Sequence, residues 1–277
     1  MSTHRDLESN GAPPTWWIPM PIHDLILHYL YAVADGHQNL VITGPKGVGK
    51  TEAVRWALEE FSEQETRRPE VENGQATARE WSYYAAGEAD GRKTALRDLL
   101  SALGHRVGSA QTKHLTVRDF TALAVDQLRG TVGERNIRIV CIDEADRIDA
   151  SNLNDLRQVI DEAERQRYPL GMILIGNGKV LKHLKANQEL GQRFSIALEF
   201  STFKEQEIRA ALPALHPDLT KLSETHDWAA LVELILDSAQ GSIRRLERLL
   251  KLAHSFGQTK GTGIDDAAIR FAVRSLA

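Results

Sequence analysis

One cysteine stands in 277 residues, and the chain has neither a long apolar run nor a strong net charge. A single cysteine excludes an internal disulfide framework and a thiol metal cluster, so a reducing, cytoplasmic setting is expected. The N-terminus MSTHRDLESNGAPPTWWIPMP lacks a basic flank followed by an apolar core, and no apolar stretch is long enough to span a bilayer. A chain that is not exported and does not enter a membrane is therefore expected. The net charge of −4 gives no global argument for a nucleic-acid partner. Repeats and low-complexity segments are absent as well. What remains is a globular composition, 42% apolar, with the length of one to two domains.

The charge is unevenly distributed, and that is more informative than its sum. Residues 92–118 hold six Lys or Arg against one Asp. Residues 52–80 run the other way, with Glu52, Glu59, Glu60, Glu63, Glu65, Glu70, Glu72 and Glu80. A local basic band can bind a phosphate backbone on a slightly acidic molecule; it can equally be a solvated helix face.

Hydrophobic periodicity divides the chain into two kinds of segment. In PIHDLILHYLYAVADG the residues Ile22, Leu25, Ile26, Tyr29, Leu30 and Val33 follow the helical period, and the buried-strand run NLVITG comes next. TEAVRWALEEF reads as a helix, residues 64–79 as a polar surface loop, and WSYYAA as a second strand. Helices are expected at Thr94–Leu103 and Val117–Leu128, the latter with Thr116 as N-cap and Asp119 in its first turn. IRIVCI is a buried strand, with Cys141 as a small core residue. NLNDLRQVIDEAERQ is helical, GMILIG a fourth strand, and FSIALEF a fifth that a polar loop enters. Strands separated by helices mean a parallel sheet covered on both faces. After Phe200 only helices are expected, the first with a capping box from Thr202 to Glu205. The expected division is an N-terminal extension (1–20), an α/β domain (21–201) and a small helical domain (202–277).

The chemistry begins at GPKGVGKT, Gly44–Thr51, which fits G-x-x-x-x-G-K-[ST] between a strand and a helix. Gly44, Gly47 and Gly49 let the backbone turn its N–H groups toward phosphate oxygens, and the helix N-terminus adds its positive end. Lys50 meets the outer phosphates and Thr51 offers a hydroxyl to Mg²⁺. Asp143, closing the third strand, is the second Mg²⁺ group, and Glu144 can polarise an attacking water, which favours hydrolysis over transfer. Asn177 ends the fourth strand, where such sheets line their ligand crevice, but Asn before Gly178 is also an ordinary turn. Arg244 and Arg245 open a helix against its dipole, which calls for a nearby anion or a basic patch shared with Arg248 and Lys251. Trp16 and Trp17 either cover a base or pack on the core. Arg193, in QELGQRFSIALEF, is a charge at the mouth of the fifth strand that periodicity does not explain.

These pieces in this order resemble the AAA+ ATPases. The resemblance implies a five-stranded sheet of order 5-1-4-3-2, with ATP and Mg²⁺ as ligands. It makes Gly44, Pro45, Lys46, Gly47, Val48, Gly49, Lys50 and Thr51, with Glu52 adjoining, the Walker A segment, and Asp143 and Glu144 Walker B. Asn177 is similar to sensor 1 and Arg244 to sensor 2, with Arg245 an adjacent rival. Arg193 resembles the arginine finger that reaches a neighbouring subunit's γ-phosphate, with Arg165 and Arg167 as fallbacks.

Within AAA+, the segments TVRDF, IDEADRI, GNGKVL, QRFSIALEF and GSIRRLERLL resemble transposition regulators of the TniB, TnsC and MuB type. That likeness implies ATP-dependent assembly on double-stranded DNA as a ring or helical filament, linking a target-site selector to a DDE transposase. It places DNA contacts at Arg92, Lys93, Lys113 and Thr116. Two alternatives stand beside it. A replication or repair loader similar to Orc and clamp-loader proteins is disfavoured because the chain ends with its helical region. An assembly switch with negligible turnover is disfavoured by Glu144.

Overall fold

Five short apolar runs separated by helices can bury both faces of each strand only in a parallel sheet wrapped by helices. The computed structural model describes residues 21–36, 38–67, 71–72, 75–76, 79–87, 93–105, 114–130 and 136–276. Its main sheet joins β1 (Leu40–Thr43), β2 (Arg79–Ala85), β3 (Asn136–Asp143), β4 (Gly171–Ile175) and β5 (Ile196–Glu199). The strands lie in the order 2-3-4-1-5, every pair parallel, which is the expected order read from the other edge.

Alternation within the strands sorts their side chains onto two cores. Val41, Val140, Ile142, Met172 and Leu174 face one way, against α3 (Thr94–Ala102), α4 (Val117–Arg129) and α5 (Ala150–Arg165). Leu40, Ile42, Ile139, Cys141, Ile173 and Ile175 face the other, against α1 (Pro21–Ala34) and α2 (Lys50–Arg67). Cys141 is fully buried and its thiol pKa is pushed up by that burial, as suits an unreactive core residue. The approach of α1 to β4 is close: a Cβ on Gly171 would lie 1.9 Å from the Val33 carbonyl oxygen.

Three local expectations are corrected. The polar stretch 64–79 is not all loop: α2 continues to Arg67, and Val71–Glu72 pairs antiparallel with Gln75–Ala76. The helix extends because Gln64 is held at both ends, accepting from Tyr31 Oη at 2.6 Å and donating to Glu60 at 3.0 Å. The segment before β5 is not a loop either. It holds α6 (Gly178–Ala186) and α7 (Gln188–Arg193), each started by an asparagine cap, Asn177 accepting from Lys179 N and Asn187 from Leu190 N.

Packing divides the chain between Ser201 and Thr202. The C-terminal unit contains α8 (Glu205–Ala211), α9 (Pro217–Ser223), α10 (Trp228–Ala239), α11 (Ile243–Lys260) and α12 (Asp266–Leu276), around buried Ile208, Leu212, Leu219, Ile235, Leu249 and Ile269. The start of α8 lies two residues later than expected and keeps only half of a capping box: Lys204 N donates to Glu207 Oε2 at 3.0 Å, while the Lys204 side chain has no acceptor to return. Phe203 N instead reaches the Gly241 carbonyl at 3.4 Å, so Thr202 lies outside the helix start.

Candidate functional site

The turn after β1 is made by backbone that only glycine tolerates easily. Gly44, Gly47 and Gly49 have φ of 148°, 83° and 90°, and a Cβ on Gly44 would meet Phe200 O at 2.4 Å. Val48 is buried and pins the loop to the core, while Pro45 and Lys46 are exposed. Lys50, the first residue of α2, donates through Nζ to Gly44 O at 2.9 Å and Pro45 O at 2.7 Å. Exposed Glu52, in the first turn, faces Arg55 at 4.0 Å.

Beside this turn β3 ends in Asp143, which is 8% exposed. Its Oδ2 accepts from Thr51 Oγ1 at 2.7 Å and from Tyr83 Oη at 2.5 Å, and its Oδ1 accepts from Glu144 N at 2.7 Å. Burial, then the hydrogen bond to Asp143 and its charge, raise the Tyr83 pKa well above the usual phenol range. Glu144 turns the chain out of the strand in the left-handed region, φ 53°, and its carboxylate pairs with Arg147 Nη1 at 2.8 Å. Thr51 and Asp143 set hard oxygen donors side by side. That fits Mg²⁺, which is held by few protein oxygens together with phosphate oxygens rather than by a protein cage. Among the described residues no group of three or more His, Cys, Asp or Glu converges on a metal position.

Asn177 follows β4 at the same end of the sheet. Its Oδ1 accepts from Lys179 N at 2.8 Å, and its Nδ2 donates to Asp146 Oδ2 at 2.7 Å. Asp146 Oδ1 also accepts from Asn177 N at 3.1 Å, so this carboxylate ties the turn after β3 to the turn after β4. Tyr83 and Asp146 were not anticipated. The only signal for Asp146 was a third acidic residue in IDEAD; Tyr83 had none, since it depends on β2–β3 register.

Arg193 is the last residue of α7, at the opposite end of the sheet. Its Nη2 pairs with Asp161 at 2.9 Å and its Nη1 with Glu164 at 2.7 Å, both on α5. The Arg193 carbonyl accepts from Asn39 Nδ2 at 2.7 Å, and Asn39 Oδ1 accepts from Met172 N at 2.7 Å. Asn39 thereby joins the starts of β1, β4 and β5. A cavity of about 440 Å³ lies here, lined by Asn39, Glu164, Arg167, Tyr168 and Arg193 among others. Arg165 is instead paired with Glu162, at 2.5 Å. Leu40 pairs with Ile196 and Thr43 with Glu199, so Arg193 precedes the strands that Gly44 follows. The length between them is four strand residues of about 3.3 Å each.

Of the basic band, Lys93 and Thr116 are described, and Arg92 and Lys113 lie outside the described residues, as do Trp16 and Trp17. Lys93, with φ 78°, donates to Leu115 O at 2.5 Å, bringing the α3 and α4 starts together. Thr116 caps α4 through a reciprocal box with Asp119, whose carboxyl pKa is lowered by the Thr116 hydroxyl and backbone N–H. In the C-terminal unit, Ser242 caps α11, Arg244 is exposed, and the Arg245 guanidinium donates to Gln240 Oε1. Lys251 pairs with Glu247 at 2.5 Å, so acid interrupts the basic face of α11. Among the described residues no helix is long and apolar enough to cross a membrane.

Residues 33–184 match the family described as AAA domain. A Staphylococcus aureus protein called a potential ATP-binding protein is 30% identical over 116 residues, 41% of each chain. The Aeropyrum pernix ORC2 protein, solved as ADPNP-ADP complexes, superposes with a TM-score of 0.64 at 20% identity, over 92% of this chain and 66% of that one. The Aeropyrum pernix ORC1 protein in complex with DNA gives 0.64 at 17% identity, over 94% and 67%. The chain thus spans less than half of the curated relative and about two thirds of the ORC2 chain. On a match that takes in the P-loop strand, β3 and β4 with the turns that follow them, the chain belongs to the AAA domain family.

Proposed function

We propose that this chain is an ATP-hydrolysing, DNA-binding AAA+ protein whose ATP-bound copies assemble on double-stranded DNA to regulate transposition, as a TniB-, TnsC- or MuB-like link between a target-site selector and a DDE transposase. Residues 21–201 act as the nucleotide-binding body and 202–277 as a helical lid carrying Arg244 as sensor 2. Lys50 exchanges the Gly44 and Pro45 carbonyls for phosphate oxygens. Thr51 keeps its hydroxyl proton on Asp143 and turns a lone pair outward toward Mg²⁺, which when bound neutralises phosphate charge. Glu144, released from Arg147, accepts a proton from water as the water oxygen attacks the γ-phosphorus; the bond to the β-phosphate oxygen breaks, giving ADP and phosphate. Asn177, held by Asp146, has one Nδ2 proton left to orient that water.

The observation that carries the assembly reading is Arg193's place at the sheet end opposite its own P-loop. An arginine there serves a second copy's γ-phosphate far better than its own, stabilising charge in the transition state and making ATP the joint between copies. Lys93 and Thr116 are the DNA contacts in this reading, Arg92 and Lys113 join them on the motif resemblance alone, and the transposition assignment rests on the same resemblance.

Mixing the protein with duplex DNA and ATP or ADP tests this. ATP-dependent polymers on DNA of any sequence are expected, and Glu144→Gln should bind ATP and hold the assembled state. Loss of nucleotide binding in Glu144→Gln refutes the base assignment. The superposition on ORC proteins favours one other reading, a replication loader, which predicts compact complexes confined to origins or primed junctions.

A further inference from the structure

We infer that Tyr83 is a positioning residue for Asp143, setting how tightly the site takes up Mg²⁺; the inference rests on the ATP·Mg²⁺ reading above. Three elements donate to the Asp143 carboxylate: α2 through Thr51, β2 through Tyr83 and the chain's own turn through Glu144 N. Thr51 and Tyr83 converge on the same oxygen, Oδ2, at 2.7 and 2.5 Å. Without Tyr83 each oxygen would keep one donor, Glu144 N on Oδ1 and Thr51 on Oδ2, and the broad terminal torsion would let Oδ2 shift with the Thr51 hydroxyl. With both donors in place Oδ2 stays fixed, and so does the Thr51 hydroxyl that it orients.

The phenol is itself held. Arg55 lies one helical turn after Thr51, on the same face of α2, and its guanidinium sits 4.8 Å from the Tyr83 ring centroid. Two residues earlier on β2, Trp81 Nε1 donates to Ser62 Oγ of α2 at 2.8 Å. Thus α2 grips β2 on either side of the phenol while its Thr51 touches the carboxylate. The Tyr83 ring supplies packing, and its oxygen supplies the hydrogen bond. Tyr83→Phe removes only the second.

The test measures the Mg²⁺ concentration that half-saturates binding of a fluorescent ATP analogue, and separately the affinity for that analogue in EDTA. Losing a partner hydrogen-bonded to a metal-site carboxylate weakens metal affinity by about tenfold or more. Tyr83→Phe should therefore need roughly ten times more Mg²⁺ while its affinity in EDTA stays within about twofold. An unchanged Mg²⁺ requirement overturns the inference, and so does an equal loss with and without Mg²⁺, which marks a general structural role. Should Tyr83→Phe also lower stability, the Asp143→Ala background decides: there the same substitution should add less than about twofold, and a further full shift overturns the inference. Failure of the unmodified protein to bind the analogue removes the ATP reading and this one together, and is told apart because it needs no variant.

Discussion

The two ends of the parallel sheet are built in different ways. At the C-terminal ends of the strands, Gly44–Thr51 follows β1 directly, Asp143 closes β3 and Asn177 lies two residues past β4, and the proposed phosphate, metal and water chemistry restricts each position to few residue types. At the N-terminal ends, Asn39, Arg193 and the α5 pair Asp161 and Glu164 come from three separate segments, joined by side-chain hydrogen bonds and ion pairs. The first end is a motif and the second a network. The difference teaches that an end facing a small ligand writes itself into local sequence. An end shaped by its own packing is spread along the chain.

Substitutions should separate the ends. Lys50→Ala attacks the motif end alone and should weaken ATP binding by roughly 100-fold, the upper scale for hydrogen bonds to a charged group, as a binding titration would show. Asn39→Ala attacks the network end: it leaves Met172 N–H buried without its acceptor and should cost about 1–3 kcal/mol in urea unfolding while ATP affinity in the folded protein is kept. An ATP affinity that fell with Asn39→Ala would merge the two ends into one site.

Protonation gives an intermediate effect. Buried His23 of α1 has its pKa lowered to about 4 by burial, so the unfolded chain binds the extra proton first. Stability should fall as pH drops from about 6.5 toward 4, and His23→Gln should flatten that slope in thermal melts. Smallest is Thr116→Ala, which removes the α4 cap at a cost of about 1 kcal/mol in unfolding. Its effect on DNA binding, measured by salt-dependent titration, tests the proposed DNA contact at Thr116.

The same contrast explains what could be read from the sequence. The five strands, the two-faced cores and the P-loop are legible because hydrophobic periodicity and a spaced motif encode them, while the strand order follows only from the family resemblance. Thr116 is legible because its box partner, Asp119, is three residues away. Tyr83 is not, because its position against Asp143 follows from pairing with Cys141 across β2 and β3, a register no local pattern states. Asn39 and the Arg193 ion pairs are hidden likewise, in contacts up to 154 residues apart. The helices at 178–193 escaped because six to nine residues carry too little period, although Asn177 and Asn187 stood in place as caps.

The central claim is that Arg193 completes the site of another copy. Lys50→Ala keeps the arginine and loses its own nucleotide, while Arg193→Ala binds ATP and lacks the arginine, so each alone should neither assemble on DNA nor hydrolyse. Mixed together they form interfaces pairing an ATP-loaded site with an intact Arg193. The account predicts that ATP hydrolysis and DNA-bound assembly reappear in the mixture; a silent mixture, or normal turnover by Arg193→Ala alone, contradicts it.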